Sequence, residues 1–149
     1  MFEKLKEIRE YEGLTQKEVA KLLNVTRATY AGWECGKDII PLRKLNKFAN
    51  TFHVSLDYLV GIAPEIEIVN ESYEIDVSKV ADHIKNVRLK NNFSQKQMAS
   101  SIKTSQSNIH KYETGKSLIT TTYALEFSKQ YNYSLDKLLD RNKKTTKDL

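Results

Sequence analysis

The chain repeats itself. Leu14 to Gly36 reads LTQKEVAKLLNVTRATYAGWECG, and Phe93 to Gly115 reads FSQKQMASSIKTSQSNIHKYETG, 79 residues later and without a gap. Self-similarity at one fixed offset constrains the fold more than any single residue, because whatever one copy forms the other must form too. A length of 149 residues would by itself suggest one domain. The repeat instead predicts two small ones, of about 60 residues each.

Each copy opens on a hydroxyl residue and a glutamine, Thr15-Gln16 or Ser94-Gln95, and the hydroxyl suits a helix N-cap. Val19, Ala20 and Leu23 follow at helical spacing; Met98, Ala99 and Ile102 hold the same places. A tight connection leads to a second cap, Thr26 or Ser105. The next helix buries Tyr30 and Trp33, or Ile109 and Tyr112, three apart and so on one face. It stops at Gly36 or Gly115. Two short helices across such a turn make a helix-turn-helix, whose second helix can enter the DNA major groove.

The rest of each half fits around this motif. A first helix from Phe2 to Glu12 turns Leu5 and Ile8 inward and ends at Gly13. Pro41 starts a fourth helix with Leu45, Phe48, Ala49 and Phe52 on its inner stripe. Ser55 caps a fifth through Leu59, and Gly61 closes the domain. The second half repeats the order: helix one, capped by Asp76 or Ser78, to about Asn91; helix two from Gln95; helix three from Gln106; helix four from Thr121; helix five from Ser134. The expectation is an all-α chain of two tandem five-helix domains, 1–61 and 78–141, with an acidic linker at 62–77 and a basic tail at 142–149.

Charge is uneven. Residues 1–61 carry ten Lys/Arg and eight Asp/Glu, residues 62–79 one and five, residues 80–149 thirteen and six. The basic second half fits a polyanion partner. In the linker, the alternation Glu65-Ile66-Glu67-Ile68 predicts an extended segment. Extended, it spans about 50 Å, enough for the two domains to reach major grooves about 34 Å apart. The acid run reads first as a plain solvated linker; a sharper use for it is to cover a basic face when DNA is absent. The tail from Arg141 has no periodicity and reads as frayed chain able to touch phosphate.

Other chemistry is sparse. Cys35 is the one cysteine, which excludes an internal disulfide and fits a reducing cytoplasm. His53, His83 and His110 have no metal-ligand spacing with each other or with Cys35, so no metal or cofactor is expected. No nucleophile–base set or phosphate-cradling glycine loop is present, and an enzyme is rejected. There is no signal-peptide pattern and no long apolar run, so a cytoplasmic location off the membrane is expected.

The chain resembles the lambda-repressor/Cro-like, or xenobiotic-response-element, family of bacterial and phage regulators. The resemblance rests on Leu14, Thr15, Gln16, Ala20, Val25, Thr26, Arg27, Glu34, Gly36, Lys37 and Val54-Ser55-Leu56-Asp57 with Leu59. Copy two keeps Ser94, Gln95, Ala99, Ser105, Glu113, Gly115, Lys116, Ser134-Leu135-Asp136 and Leu138. It departs at Thr104 and at Thr120-Thr121-Thr122, opposite Val25 and Pro41-Leu42-Arg43.

The resemblance implies that the positions of Arg27, Ala28 and Gly32 read base edges. It implies that Gln16 and Gln95 contact phosphate and brace helix three, and that Arg9–Glu34 and Arg88–Glu113 are structural salt bridges. On chemical grounds Arg27 suits guanine and Ala28 a thymine methyl, with Thr29 beside them. In copy two, Gln106, Ser107, Asn108, His110 and Lys111 crowd one short surface; Gln and Asn suit adenine, and Lys suits guanine or phosphate. Lys17, Lys37, Arg43, Lys44, Lys96 and Lys116 are candidate phosphate contacts. The expected function is a sequence-specific double-stranded-DNA-binding regulator, a repressor, using one or both domains as a built-in pseudo-dimer. The alternative is the same fold reused as a protein-binding module (antitoxin, immunity factor or inhibitor), with one domain for dimerisation or a protein partner. Ile66, Ile68, Val69 and Tyr73 would then pair as an exposed strand. No small-molecule ligand domain is visible.

Overall fold

A computed structural model describes residues 2–141, and they form two compact units, the first ending at Ser72 and the second beginning at Tyr73. The first unit holds α1 (Glu3–Tyr11), α2 (Gln16–Leu22), α3 (Arg27–Glu34), α4 (Leu42–Phe52) and α5 (Leu56–Leu59). The second holds α6 (Val77–Lys90), α7 (Gln95–Ser101), α8 (Gln106–Glu113), α9 (Thr121–Tyr131) and α10 (Leu135–Leu138). Among the described residues there is no strand, only one isolated antiparallel bridge, Val54 to Ile68.

Local chemistry sets the helix starts. The Thr15 hydroxyl accepts from the Glu18 amide at 3.1 Å, and the Glu18 carboxylate accepts from the Thr15 amide at 3.1 Å. Ser94 and Gln97 make the same reciprocal box. Thr26, Ser105, Ser55, Ser134 and Asp76 cap α3, α8, α5, α10 and α6. Each such cap is worth about 1 kcal/mol. The ends are matched as well. Among the described residues, left-handed backbone occurs in five pairs at the repeat offset: Gly13 and Asn92, Asn24 and Lys103, Gly36 and Gly115, His53 and Asn132, Gly61 and Asp140.

Burial of one stripe per helix builds each core. In the first unit Leu5, Val19, Leu23, Tyr30, Trp33, Leu45, Phe48, Leu56 and Leu59 are buried. In the second Ile84, Met98, Ile102, Ile109, Tyr112, Phe127 and Leu135 are buried likewise. Fully burying one such side chain is worth about 1.5–3 kcal/mol. Phe52, expected on the inner stripe of α4, is only half-buried and stacks on Phe48.

The acidic segment does not hang free between the units. The Ile62 and Ala63 amides donate to the Asp57 carbonyl, and the Val69 amide donates to the His53 carbonyl at 2.9 Å. Ile66 and Ile68 border a groove of about 450 Å³ with Ile8, Tyr11, Phe52 and Tyr58. Its lining includes Glu7 and Glu12 and no Lys or Arg, so the surface beside Ile66 and Ile68 is not a basic one. Tyr11 and Ile68 stay 89% and 63% exposed.

Arg141 also departs from the sequence reading. Instead of opening a frayed tail it is 2% exposed, with its Nε 3.3 Å from Asp136 Oδ1 and its guanidinium over the Tyr73 ring. The expected basic tail at 142–149 lies outside the described residues.

Candidate nucleic-acid interface

The turn between α2 and α3 is tied down from three sides. Asn24 takes the left-handed conformation, the Val25 amide donates to the Ala20 carbonyl at 2.9 Å, and Lys44 Nζ donates to the Leu23 carbonyl at 2.8 Å. Lys44, expected as a phosphate contact, thus closes the C-terminal end of α2. Its charge sits on a carbonyl that the helix leaves without a partner.

Tyr30 and Trp33 then fix the roll of α3. Both are buried, with ring centroids 6.1 Å apart in an edge-on arrangement. Burial pushes the Tyr30 phenol well above its ordinary pKa, so it stays neutral. Arg27, Ala28 and Thr29 are left exposed. The Thr29 hydroxyl is engaged by the Thr26 hydroxyl at 2.9 Å. Gly32 corrects the sequence reading: it is buried, because the Asp38 carboxylate lies across it. In α8, Gln106, Ser107, His110 and Lys111 are exposed, while Asn108 is half-buried and its amide donates to Thr104 Oγ1 at 2.8 Å.

A four-group cluster locks α3 to the start of the unit. Arg9 Nε donates to Glu34 Oε2 at 2.7 Å and Nη2 to Oε1 at 3.0 Å. Gln16 Nε2 donates to Oε1 at 3.1 Å, and Arg9 Nη1 donates to the Leu14 carbonyl at 2.9 Å. The second unit repeats every bond: Arg88 Nε and Nη2 to Glu113 at 2.6 and 2.9 Å, Gln95 Nε2 to Glu113 at 3.3 Å, and Arg88 Nη1 to the Phe93 carbonyl at 2.9 Å. A carboxylate at a helix C-terminus opposes the helix dipole; the two-pronged guanidinium offsets this. Burial pushes the Glu34 carboxyl up, but the groups of Arg9, Tyr30 and Gln16 outweigh it and hold it below the usual carboxylate range. Arg9 and Arg88 are raised, chiefly by their hydrogen bonds to these glutamates.

The glutamines therefore brace the third helix while staying half-exposed beside it. Each amide group has a second N–H beyond the one it gives the glutamate. Lys17, Lys37 and Arg43 around α3, and Lys96 and Lys116 around α8, are exposed. Among the described residues no group of His, Cys, Asp and Glu could hold a metal, and no helix is long and apolar enough to cross a membrane. Asp38 was missed in the sequence. The available signal was the contrast between Gly32 and its repeat partner Lys111, which asks what fills the glycine's place.

A short helix, a pinned turn and a second helix with one buried and one exposed face define a helix-turn-helix domain, present here twice. The chain belongs to the lambda-repressor-like helix-turn-helix family, whose model matches residues 5–59 and again 84–138. It is similar to the uncharacterized HTH-type transcriptional regulator YobD of Bacillus subtilis (strain 168), 29% identical over 72 residues, covering 46% of this chain and 64% of the relative. It is also similar to YonR, an SPbeta prophage-derived uncharacterized HTH-type transcriptional regulator of the same strain, 38% identical over 58 residues, covering 39% of this chain and 54% of the relative. The chain thus spans between half and two thirds of the length of these curated relatives. No solved structure matches it.

Proposed function

We propose that the protein is a sequence-specific duplex-DNA-binding transcriptional regulator, a repressor, that lays α3 and α8 in the major groove. The observation that carries this reading is the doubled arrangement of an exposed polar helix face held by the same Arg–Glu–Gln cluster. Such a face needs no further ordering before it binds, which lowers the cost of association. Arg27 and Ala28, with Thr29, would meet bases in one half-site; Gln106, Ser107 and Lys111, with the Asn108 amide already held by Thr104, would meet them in the other. Gln16, Lys17, Lys37 and Arg43, and Gln95, Lys96 and Lys116, would take phosphates.

Selection from a random duplex pool tests the reading. Two distinct half-sites at a fixed spacing are expected. The five cations of the phosphate set, which make no ion pair among the described residues, predict that log affinity falls with log salt at a slope of about −4 to −5. Flat salt dependence with no enriched sequence would refute the proposal. It would favour the second reading, a protein-binding module, which draws on the apolar groove lined by Tyr11, Ile66 and Ile68.

A further inference from the structure

Gly32 lies one helical turn beyond Ala28, so the two share the stripe of α3 that the proposed function turns toward bases. A glycine there offers no side chain. Yet the place is not empty. A Cβ built on Gly32 would stand 2.7 Å from Asp38 Oδ2 and 3.6 Å from Asp38 Cγ. The carboxylate occupies the room that a side chain at position 32 would need, and that is why Gly32 is buried. The Asp38 amide donates to the Gly32 carbonyl at 3.1 Å, which fixes the loop over the helix. Asp38 itself is exposed, and among the described residues it has no ion-pair partner. At the repeat offset, Lys111 stands where Gly32 does and Ser117 where Asp38 does; Ser117 also donates its amide to the Lys111 carbonyl, at 3.3 Å. The backbone is shared, and the charge on the reading face is inverted.

We infer that Asp38 is a specificity-determining residue of the first unit, its carboxylate reading a base edge from the loop at the place Gly32 leaves open. This rests on the reading of α3 as a major-groove helix. An ionised carboxylate only accepts hydrogen bonds. In the major groove the donors are the exocyclic amines, and an acid pairs with cytosine N4. The same carboxylate meets guanine O6 and N7, or a phosphate, as like charge against acceptor and is desolvated without a partner. The first half-site therefore favours cytosine at the base pair beneath Gly32; adenine also offers an N6 donor, but with the N7 acceptor beside it, and guanine and thymine offer only acceptors. The second half-site, read there by the Lys111 ammonium, favours guanine at the corresponding pair. The two half-sites carry opposite polarity at one matched position, so the full site is asymmetric.

The test uses the full chain and the site it selects. All four base pairs are placed at the matched position of each half-site, and affinity is measured by fluorescence anisotropy at fixed salt. The unaltered chain is expected to discriminate for cytosine by roughly 5- to 150-fold in the first half-site. Asp38→Ala is expected to bring that to within about twofold, and Asp38→Asn to move the preference toward adenine, the base its amide suits. Gly32→Ala keeps the charge but displaces the carboxylate, and is expected to flatten the preference as well. Guanine preference in the second half-site stays unchanged in all three, and Trp33 fluorescence verifies that the first unit is folded. A selected site whose cytosine preference survives Asp38→Ala overturns this inference alone. A chain that selects no site overturns the proposed function and this inference with it.

Discussion

Glu34→Ala should cost the first unit much of its stability, and a single tryptophan lets the loss be read there. The Glu34 side chain is 4% exposed and accepts two bonds from Arg9, itself 12% exposed, and one from Gln16. Removing one partner of a buried pair costs about 3–5 kcal/mol, because the other charge is left without compensation. The low end applies, since Arg9 retains its bond to the Leu14 carbonyl. Against this, a unit of 72 residues has about 4–11 kcal/mol in total. With a urea slope near 1 kcal/mol/M, a loss of about 3 kcal/mol moves the midpoint by about 3 M. Trp33 is the one tryptophan of the chain and lies in the first core, 3% exposed, so its fluorescence follows that unit. Glu34→Ala should move the fluorescence transition; Glu113→Ala should move only the remainder of the helical circular dichroism signal. The double variant Arg9→Met with Glu34→Leu should recover most of the loss, since an apolar pair of similar volume replaces the ion pair without stranding a charge. A fluorescence midpoint that shifts by less than about 0.5 M in Glu34→Ala would refute the account of this cluster. Equal shifts from both single variants would show the two units unfolding as one.

Further outcomes follow from the same geometry. Because the folded-state pKa of Glu34 lies below its unfolded value near 4.5, its contribution is fully present above that pH and is lost as pH falls through the folded value. Acid titration followed by Trp33 should therefore show a downward step that Glu34→Gln lacks. Lys103 sits at φ +64°, a conformation costing most side chains about 1–2 kcal/mol. Lys103→Asn, the residue its repeat partner carries, should raise the thermal midpoint of the second unit by several degrees; an unchanged midpoint counts against strain there. Thr15→Ala removes half of a reciprocal cap and should lower the fluorescence midpoint by the equivalent of about 1 kcal/mol. Arg141→Ala removes a buried guanidinium that bonds Asp136 and lies over Tyr73, and should destabilise the second unit by about 1.5–3 kcal/mol, with the Trp33 transition unmoved.

What could be read from the sequence was whatever lies within one helix or one repeat offset. Helix order, caps such as Thr26 and Ser105, and the buried pairs Tyr30–Trp33 and Ile109–Tyr112 are local in period and are stated twice. Arg9–Glu34 came from family resemblance; spacing alone does not bring residues 25 apart together. Lys44, Asp38 and Arg141 escaped for a common reason. Each is a polar residue that looks like surface, and its partner is set by how a loop or a helix end closes over another element. Ile66 and Ile68 were legible as extended chain, but the surface they lie beside is built from α1, α4 and α5.

The duplicated Arg–Glu–Gln cluster makes the third helix of each unit a cartridge. Its last turn is held by a glutamate, its first turn by a hydroxyl cap, and both fittings are the same in the two units. Everything between them has diverged except one inward-facing tyrosine or tryptophan ring at Trp33 and Tyr112. A recognition code can thus drift, or be exchanged between halves, without the scaffold having to be solved again. On the proposed DNA-binding function, a lineage holding one unit fixed on an old half-site could rewrite the other residue by residue while the chain kept a grip on its site throughout.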